Sequence, residues 1–179
     1  MTITNMQRVP QMRITEYTDD YKKQVIELIL HIQNDEAGIN LSIDEQPDLT
    51  DIDSCYSKNG GKFWLAVENN ELIGTIALMN MGNGHGVLKK FFVRGDYRGK
   101  KIGLALYKKL YEFAVENHFA CILLDTPSVA LASHRFYERA GFKKIVPARL
   151  PFEYEYPDRD SYLYLLDLRN ADSGQSQPL

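Results

Sequence analysis

Apolar residues recur along this chain with two periods, and the points where one period gives way to the other mark its elements. Alternation over Met12 to Thr18 predicts a strand, and Val25, Leu28, Ile29 and Ile32 share one face of a helix over Tyr21 to Asp35. Glu36 to Asn59 keeps neither period. Ser42 reads there as an N-cap and Pro47 as a break, which predicts a short second helix within a loop. Lys62 to Val67 and Leu72 to Met79 read as strands joined by a turn at Glu68-Asn69-Asn70, a hairpin. The glycine-rich Met81 to Gly86 reads as a second turn, leading into a strand over Val87 to Val93. Lys101 to Asn117 places Ile102, Leu106, Leu110 and Phe113 on one helical face. The unbroken apolar run Ala120 to Leu124, closed by Asp125-Thr126-Pro127, suits a parallel strand covered on both sides. Ser128 to Ala140, ended by Gly141, reads as a further helix, with Phe142 to Val146 and Ser161 to Leu168 as final strands. The predicted order is β-α-α-β-β-β-α-β-α-β-β, without an internal repeat or an interdomain linker.

Composition narrows the class. With 179 residues, 44% hydrophobic and 25% charged, the chain is long enough for one well-buried core and short for two. No apolar run reaches bilayer length and the first residues lack the apolar stretch of a secretory signal, so the expected location is cytoplasmic, with no membrane partner. The two cysteines, Cys55 and Cys121, have no metal-ligand spacing and form no disulfide framework; no metal site is expected, and Cys121 is expected to lie buried in a strand. Residues 1–11 and the polar tail 171–179 are expected to be flexible.

The net charge of −3 argues against general affinity for nucleic acid, and no base-reading motif is present. The charge is nevertheless uneven. Lys89, Lys90, Arg94, Arg98, Lys100, Lys101, Lys108 and Lys109 are interrupted by a single acid, Asp96, whereas Ile43 to Asp53 and Phe152 to Asp160 are strongly acidic. A polyanion is expected at the first region, and a cation at the acidic ones.

The basic cluster overlaps the most informative segment, VLKKFFVRGDYRGKKIG over Val87 to Gly103, in which an apolar strand passes through a short cationic, glycine-bearing loop into a helix. A helix start leaves backbone N–H groups unpartnered and carries partial positive charge. Such a lead-in suits a pyrophosphate. By contrast, MGNGHG lacks the dinucleotide-loop spacing and precedes a strand, so it reads as a turn.

The element order, together with YRGKKIGLAL and HRFYERAGF, resembles the GNAT superfamily of N-acetyltransferases over Met12 to Leu168, as a single domain. The resemblance implies an α/β fold: a mostly antiparallel mixed sheet of six or seven strands, with a splayed parallel pair at strands four and five, flanked by about four helices. It also implies an enzyme that moves an acetyl group from acetyl-CoA to the amine of a small molecule or protein. The signature Gln/Arg-x-x-Gly-x-Gly/Ala falls on Arg98-Gly99-Lys100-Lys101-Ile102-Gly103, with Lys101 in place of the first signature glycine. A lysine fits there if its backbone keeps ordinary helical angles. The implied donor site comprises Phe91, Phe92 and Val93 on the strand, Arg98 to Leu104 at the helix start, and Ser133 and His134 on the later helix.

Acetyl transfer from a thioester needs a held donor, a polarised carbonyl, an uncharged amine and an acid for the leaving sulfur. By the resemblance, Gly99 to Leu104 hold the diphosphate, with Arg98, Lys100 and Lys101 neutralising it. The main chain of Phe92 and Val93 meets the pantetheine arm and polarises the carbonyl. Tyr137 is the acid; a phenol of ordinary pKa, about 10, matches a thiol. Taken alone Tyr137 would read as a core aromatic. Ala130 replaces an asparagine common in relatives, and Ser133 is expected to supply the missing contact. His134 is expected at the helix surface beside the cofactor. No carboxylate lies in VLKKFFV, so Asp125, His85 and Glu153 are the candidate bases. A non-catalytic acyl-CoA-binding module of the same fold is the alternative, and Tyr162 and Tyr164 on the last strand are candidates for a homodimer surface.

Overall fold

The computed structural model describes residues 11–156 and 160–169; the expected flexible tail and almost all of the expected flexible amino terminus lie outside the described residues. Its seven strands are β1 (Arg13–Glu16), β2 (Lys62–Glu68), β3 (Glu71–Gly82), β4 (His85–Val93), β5 (Cys121–Pro127), β6 (Lys143–Ile145) and β7 (Ser161–Asp167). They form one sheet in the order β1-β2-β3-β4-β5-β7-β6, in which only the β4–β5 pair is parallel. The helices are α1 (Lys22–Leu30), α2 (Ile52–Cys55), α3 (Ile102–Glu116) and α4 (Leu131–Arg139).

Each face of the sheet carries its own core. Val25, Leu28, Ile29 and Ile32 pack with Leu49, Ile52, Tyr56 and Phe63 on one face, while Ile102, Leu106, Leu110 and Ala114 of α3 pack with Ile76, Leu78, Ile122 and Tyr164 on the other. Covering on both sides explains why β2 and β3 lack polar alternation. Fully buried side chains such as Val25 and Ile29 contribute about 1.5–3 kcal/mol each.

Both hairpins close as the asparagines suggest. Asn69 and Asn70 take φ of 51° and 64°, and Asn83 and Gly84 take 53° and 75°, the paired positive angles that suit two-residue turns between twisted strands. The second turn is tighter than expected, because β3 runs on to Gly82 and β4 begins at His85. The helix expected to Asp35 is built in two parts: α1 ends at Leu30 and a π-helical turn over His31–Glu36 completes it. Ser42 caps no helix: its N–H and hydroxyl both bond Glu45 Oε2 at 2.8 Å, and the short helix starts later, where Asp51 Oδ1 accepts from the Ser54 N–H.

Two irregularities shape the centre of the sheet. β4 bulges opposite β3, so that Thr75 faces Phe92 but Ala77 faces Lys89, and Lys90 adopts a left-handed φ of 52°. β4 and β5 pair only at His85↔Cys121, Gly86↔Ile122 and Val87↔Leu123. Beyond that point β4 stays with β3 and β5 with β7, so two strand edges diverge and face each other across a gap.

Candidate functional site

The gap opens onto the amino terminus of α3. A 3₁₀ turn over Gly95–Tyr97 carries the chain from β4 to Arg98, and Gly99 then takes φ +78°, a conformation natural only to glycine. Lys101 also lies in the left-handed region, at φ 62° and ψ 13°. The expected helical angles are therefore not kept: the site has the backbone shape a glycine would give, imposed on a lysine at a cost of about 1–2 kcal/mol. α3 starts at Ile102 without a capping side chain, leaving the N–H groups of Ile102, Gly103 and Leu104 without partners inside the helix. Gly103 lies against Phe91 and Val93 of β4, where a Cβ would stand 3.4 Å from the Phe91 ring, an ordinary contact.

The cations are committed unequally. Arg98 forms an ion pair with Glu36 at the end of the π turn, and its Nε donates to the Val93 carbonyl at 3.0 Å. The guanidinium is thus engaged by the protein on two sides. Lys100 lies 4.6 Å from the centre of the Tyr97 ring, which Arg94 also contacts at 4.6 Å, and the Tyr97 hydroxyl donates to Glu68 Oε2 at 2.5 Å. Lys101 is exposed and has no ion pair among the described residues. Of the three expected phosphate cations it is the free one.

On β4 the Arg94 N–H donates to the Ile73 carbonyl at 2.9 Å, so the backbone of Val93 faces the other way, into the gap. Strand alternation then gives Phe92 to β3 and leaves Phe91 and Val93 toward β5. The expected main-chain pair of Phe92 and Val93 is corrected to Phe91 and Val93.

Tyr137 of α4 is 7% exposed, with ring centres 6.4 Å from Phe91, 5.7 Å from Phe142 and 6.1 Å from Tyr164. Burial, and to a smaller extent the Asp125 charge, push its pKa well above the ordinary tyrosine value, so the expected match to a thiol does not hold. The phenol stays protonated throughout the physiological range. His134 is not a surface residue: it is 7% exposed, its Nε2 lies 2.9 Å from the Pro127 carbonyl, and its ring packs on Tyr162 and Tyr164. Its chemistry is spent on joining α4 to β5. Ser133 is half-buried on the same helix. Tyr164, 1% exposed with its hydroxyl on Glu138 Oε1 at 3.2 Å, belongs to the core and is unsuited to a dimer surface.

The late aromatic loop gathers groups that sequence reasoning did not assemble. The Tyr154 hydroxyl donates to Asp125 Oδ1 at 2.8 Å, and His85 stacks on Phe152 at 4.8 Å, so two of the three candidate bases are brought to the late aromatic loop. Glu153 is exposed on it. The acidic stretch 43–53 is largely engaged internally: Glu45 with Ser42, Asp51 with Ser54, Asp53 with Lys58, and Asp48 with Lys90 and Tyr56. That weakens the expectation of a cation there; Asp158 of the second acidic stretch lies outside the described residues. Lys90 was legible only as part of a basic cluster, yet its side chain is 10% exposed and bonded to Gln46 and Asp48. Burial lowers its pKa against the pull of Asp48.

Comparison with known proteins places this geometry. The model of the acetyltransferase (GNAT) family matches residues 26–142. An acetyltransferase from Streptococcus agalactiae 2603 superposes with a TM-score of 0.84 at 40% identity, covering 88% of this chain and 98% of that one. A GNAT-family acetyltransferase from Staphylococcus aureus Mu50 gives 0.85 at 37% identity, covering 89% and 100%. The fold is shared, at a TM-score of 0.67 and 18% identity, with a PaiA N-acetyltransferase from Thermoplasma acidophilum solved in complex with coenzyme A. Among curated relatives, N-acetylaspartate synthetase from Xenopus tropicalis is 39% identical over 100 residues, and streptothricin acetyltransferase A from Bacillus subtilis is 36% identical over 94. These matches take in 55% and 51% of this chain but only 37% and 54% of the relatives' own lengths. From the splayed β4–β5 pair to the start of α3, fold and family model agree: the chain belongs to the acetyltransferase (GNAT) family.

Proposed function

We propose that the chain transfers an acetyl group from acetyl-CoA to a primary amine. The observation that carries this reading is the gap between β4 and β5, whose diverging strand edges lead directly to the first-turn N–H groups of α3, which have no partner inside the helix. An extended amide-bearing arm completes such an edge by strand-like hydrogen bonding, and a diphosphate at its end meets the positive pole of the helix. Phe91 and Val93 serve the arm, Ile102, Gly103 and Leu104 the diphosphate, and Lys101 adds a point charge.

At the junction of the two edges the amine nitrogen forms a bond to the acetyl carbon while the carbon–sulfur bond breaks. A main-chain N–H of β4 steadies the developing charge on the carbonyl oxygen. Tyr137, kept neutral by burial, donates a hydrogen bond to the departing sulfur, which leaves as a thiolate and takes its proton from water. The amine loses its proton toward Asp125 on β5, to which Tyr154 of the aromatic loop donates. The relatives' names point to acceptors as different as aspartate and streptothricin, so the acceptor class is read from this chain instead. Exposed Glu153 and Glu155 beside Tyr154 and Tyr156 suit an amine carried on an apolar or aromatic body.

Thiol release from acetyl-CoA across a panel of amines, with calorimetric titration of coenzyme A alongside, tests the proposal. Acceptor-dependent thiol release supports transfer. Tight coenzyme binding with no release for any amine would favour a non-catalytic module, and no binding would remove the donor site altogether.

A further inference from the structure

The acetyl-transfer reading leaves open what fixes the polarising N–H in place, and the bulge in β4 supplies the answer. Thr75 is fully buried between the apolar residues Ile73 and Ile76 of β3, and its hydroxyl donates to the Lys90 carbonyl at 2.7 Å. That carbonyl and the Phe91 N–H belong to one planar trans peptide, in which they point in opposite directions. A bond that draws the carbonyl toward β3 therefore aims the Phe91 N–H away from β3, into the gap.

The same peptide is held from its other end. Lys90 sits at φ 52°, an unfavourable angle for a side-chain-bearing residue, of the kind that persists only where surroundings impose it. Its ammonium donates to Gln46 Oε1 at 2.7 Å and lies 3.3 Å from Asp48 Oδ1. Asp48 is itself fixed by the Tyr56 hydroxyl at 2.5 Å, and Gln46 by reciprocal bonds with Gln33 at 2.9 and 3.2 Å. The Lys90 side chain is 10% exposed and that of Asp48 14%, so the tether is shielded from water. One strained peptide is thus gripped from β3 by a hydroxyl and from the 46–56 loop through a lysine.

We propose that Thr75 and Lys90 are positioning residues that jointly aim the Phe91 N–H at the thioester carbonyl of the bound donor. The role rests on the acetyl-transfer reading and adds to it a reason for the two buried polar side chains and the bulge. It also makes the 46–56 loop, which walls the opposite face of the sheet, a determinant of carbonyl activation.

The test uses acetyl-CoA labelled with carbon-13 at its carbonyl, bound to the full chain, with the carbonyl stretch read by isotope-edited infrared difference spectroscopy. Calorimetric affinity and the slow release of thiol to water are measured in parallel. The wild-type chain should shift the stretch to lower frequency than in water. Thr75→Val should return it toward the free value and slow thiol release about tenfold or more, with donor affinity changed less than about twofold. Thr75→Ser should restore both, and Lys90→Met should move both in the same direction as Thr75→Val. If Thr75→Val does not fold, Lys90→Met and the serine variant carry the comparison. An unchanged stretch and rate in the folded variants, or a change confined to donor affinity, would overturn the positioning role while leaving acetyl transfer standing. Failure of the wild-type chain to bind acetyl-CoA would remove both.

Discussion

Replacing Lys101 by glycine separates backbone shape from charge at the head of α3. Lys101 holds a left-handed conformation that costs a residue with a Cβ about 1–2 kcal/mol, and glycine adopts it freely. Against this gain, the greater freedom of glycine in the unfolded chain costs about 0.4–1 kcal/mol. The difference predicts a variant more stable by about 0–1.6 kcal/mol, which for a domain of this size raises the melting temperature by up to about 6 °C. Lys101→Ala removes the same charge while keeping the strain, so its melting temperature should stay close to that of the parent. Both variants should lose coenzyme A affinity alike, by up to about fivefold, the scale of an exposed charge contact. Thermal unfolding followed by circular dichroism and calorimetric titration give the two readings. A glycine variant that melts below the alanine one would refute the left-handed geometry, and a loss of affinity confined to glycine would refute the charge contact.

Tyr137→Phe should lower acetyl-transfer turnover at least tenfold while donor affinity stays within about twofold, as steady-state kinetics with calorimetry will show; equal turnover removes the hydroxyl from the chemistry. Tyr107→Phe should stabilise the fold by about 1 kcal/mol, because the Tyr107 hydroxyl is buried without a hydrogen-bond partner among the described residues. Burial holds the pKa of Tyr107 above that of an unfolded tyrosine. The folded chain therefore keeps a proton that the unfolded chain releases, and stability falls as pH rises past about 10. Urea titrations should show a shallower alkaline decline in the phenylalanine variant, and identical slopes would contradict the assignment. Glu36→Gln should free Arg98 for the donor phosphates and tighten coenzyme A binding by up to about fivefold, with a steeper salt dependence; unaltered affinity would mean that the ion pair does not hold the arginine away.

Element order was legible because the long helices carry their own period, the covered strands are apolar runs closed by turn residues, and each hairpin has its own asparagines. The donor loop was legible because Arg98, Gly99 and Gly103 are contiguous with α3. What escaped depends on contacts far apart in the chain. Nothing around Arg98 announces Glu36, sixty-two positions away, and the π turn that delivers that carboxylate follows from no helical periodicity. His134 looked accessible because its helix is short and polar, whereas Pro127, Tyr162 and Tyr164 cover it. Lys90 counted as one charge in a basic run, since a sequence shows neither a bulge nor the side of the strand to which its side chain turns. The acidic stretch 43–53 looked like a surface for cations because its internal partners Ser42, Ser54 and Lys58 are ordinary polar residues.

The meagre seam between β4 and β5 gives the substrate a mechanical part as well as a chemical one. Among the described residues, three residue pairs and the bond from the Ala120 N–H to the Gly84 carbonyl stitch the β1–β4 meander to the β5–β7–β6 strands along the backbone. A donor lying between the parted edges becomes mortar between two half-sheets, and its occupancy at a hundredfold excess over its dissociation constant adds about 2.7 kcal/mol to the whole. Loaded and empty forms then differ in cohesion across the middle of the molecule, at the place proposed for the transfer.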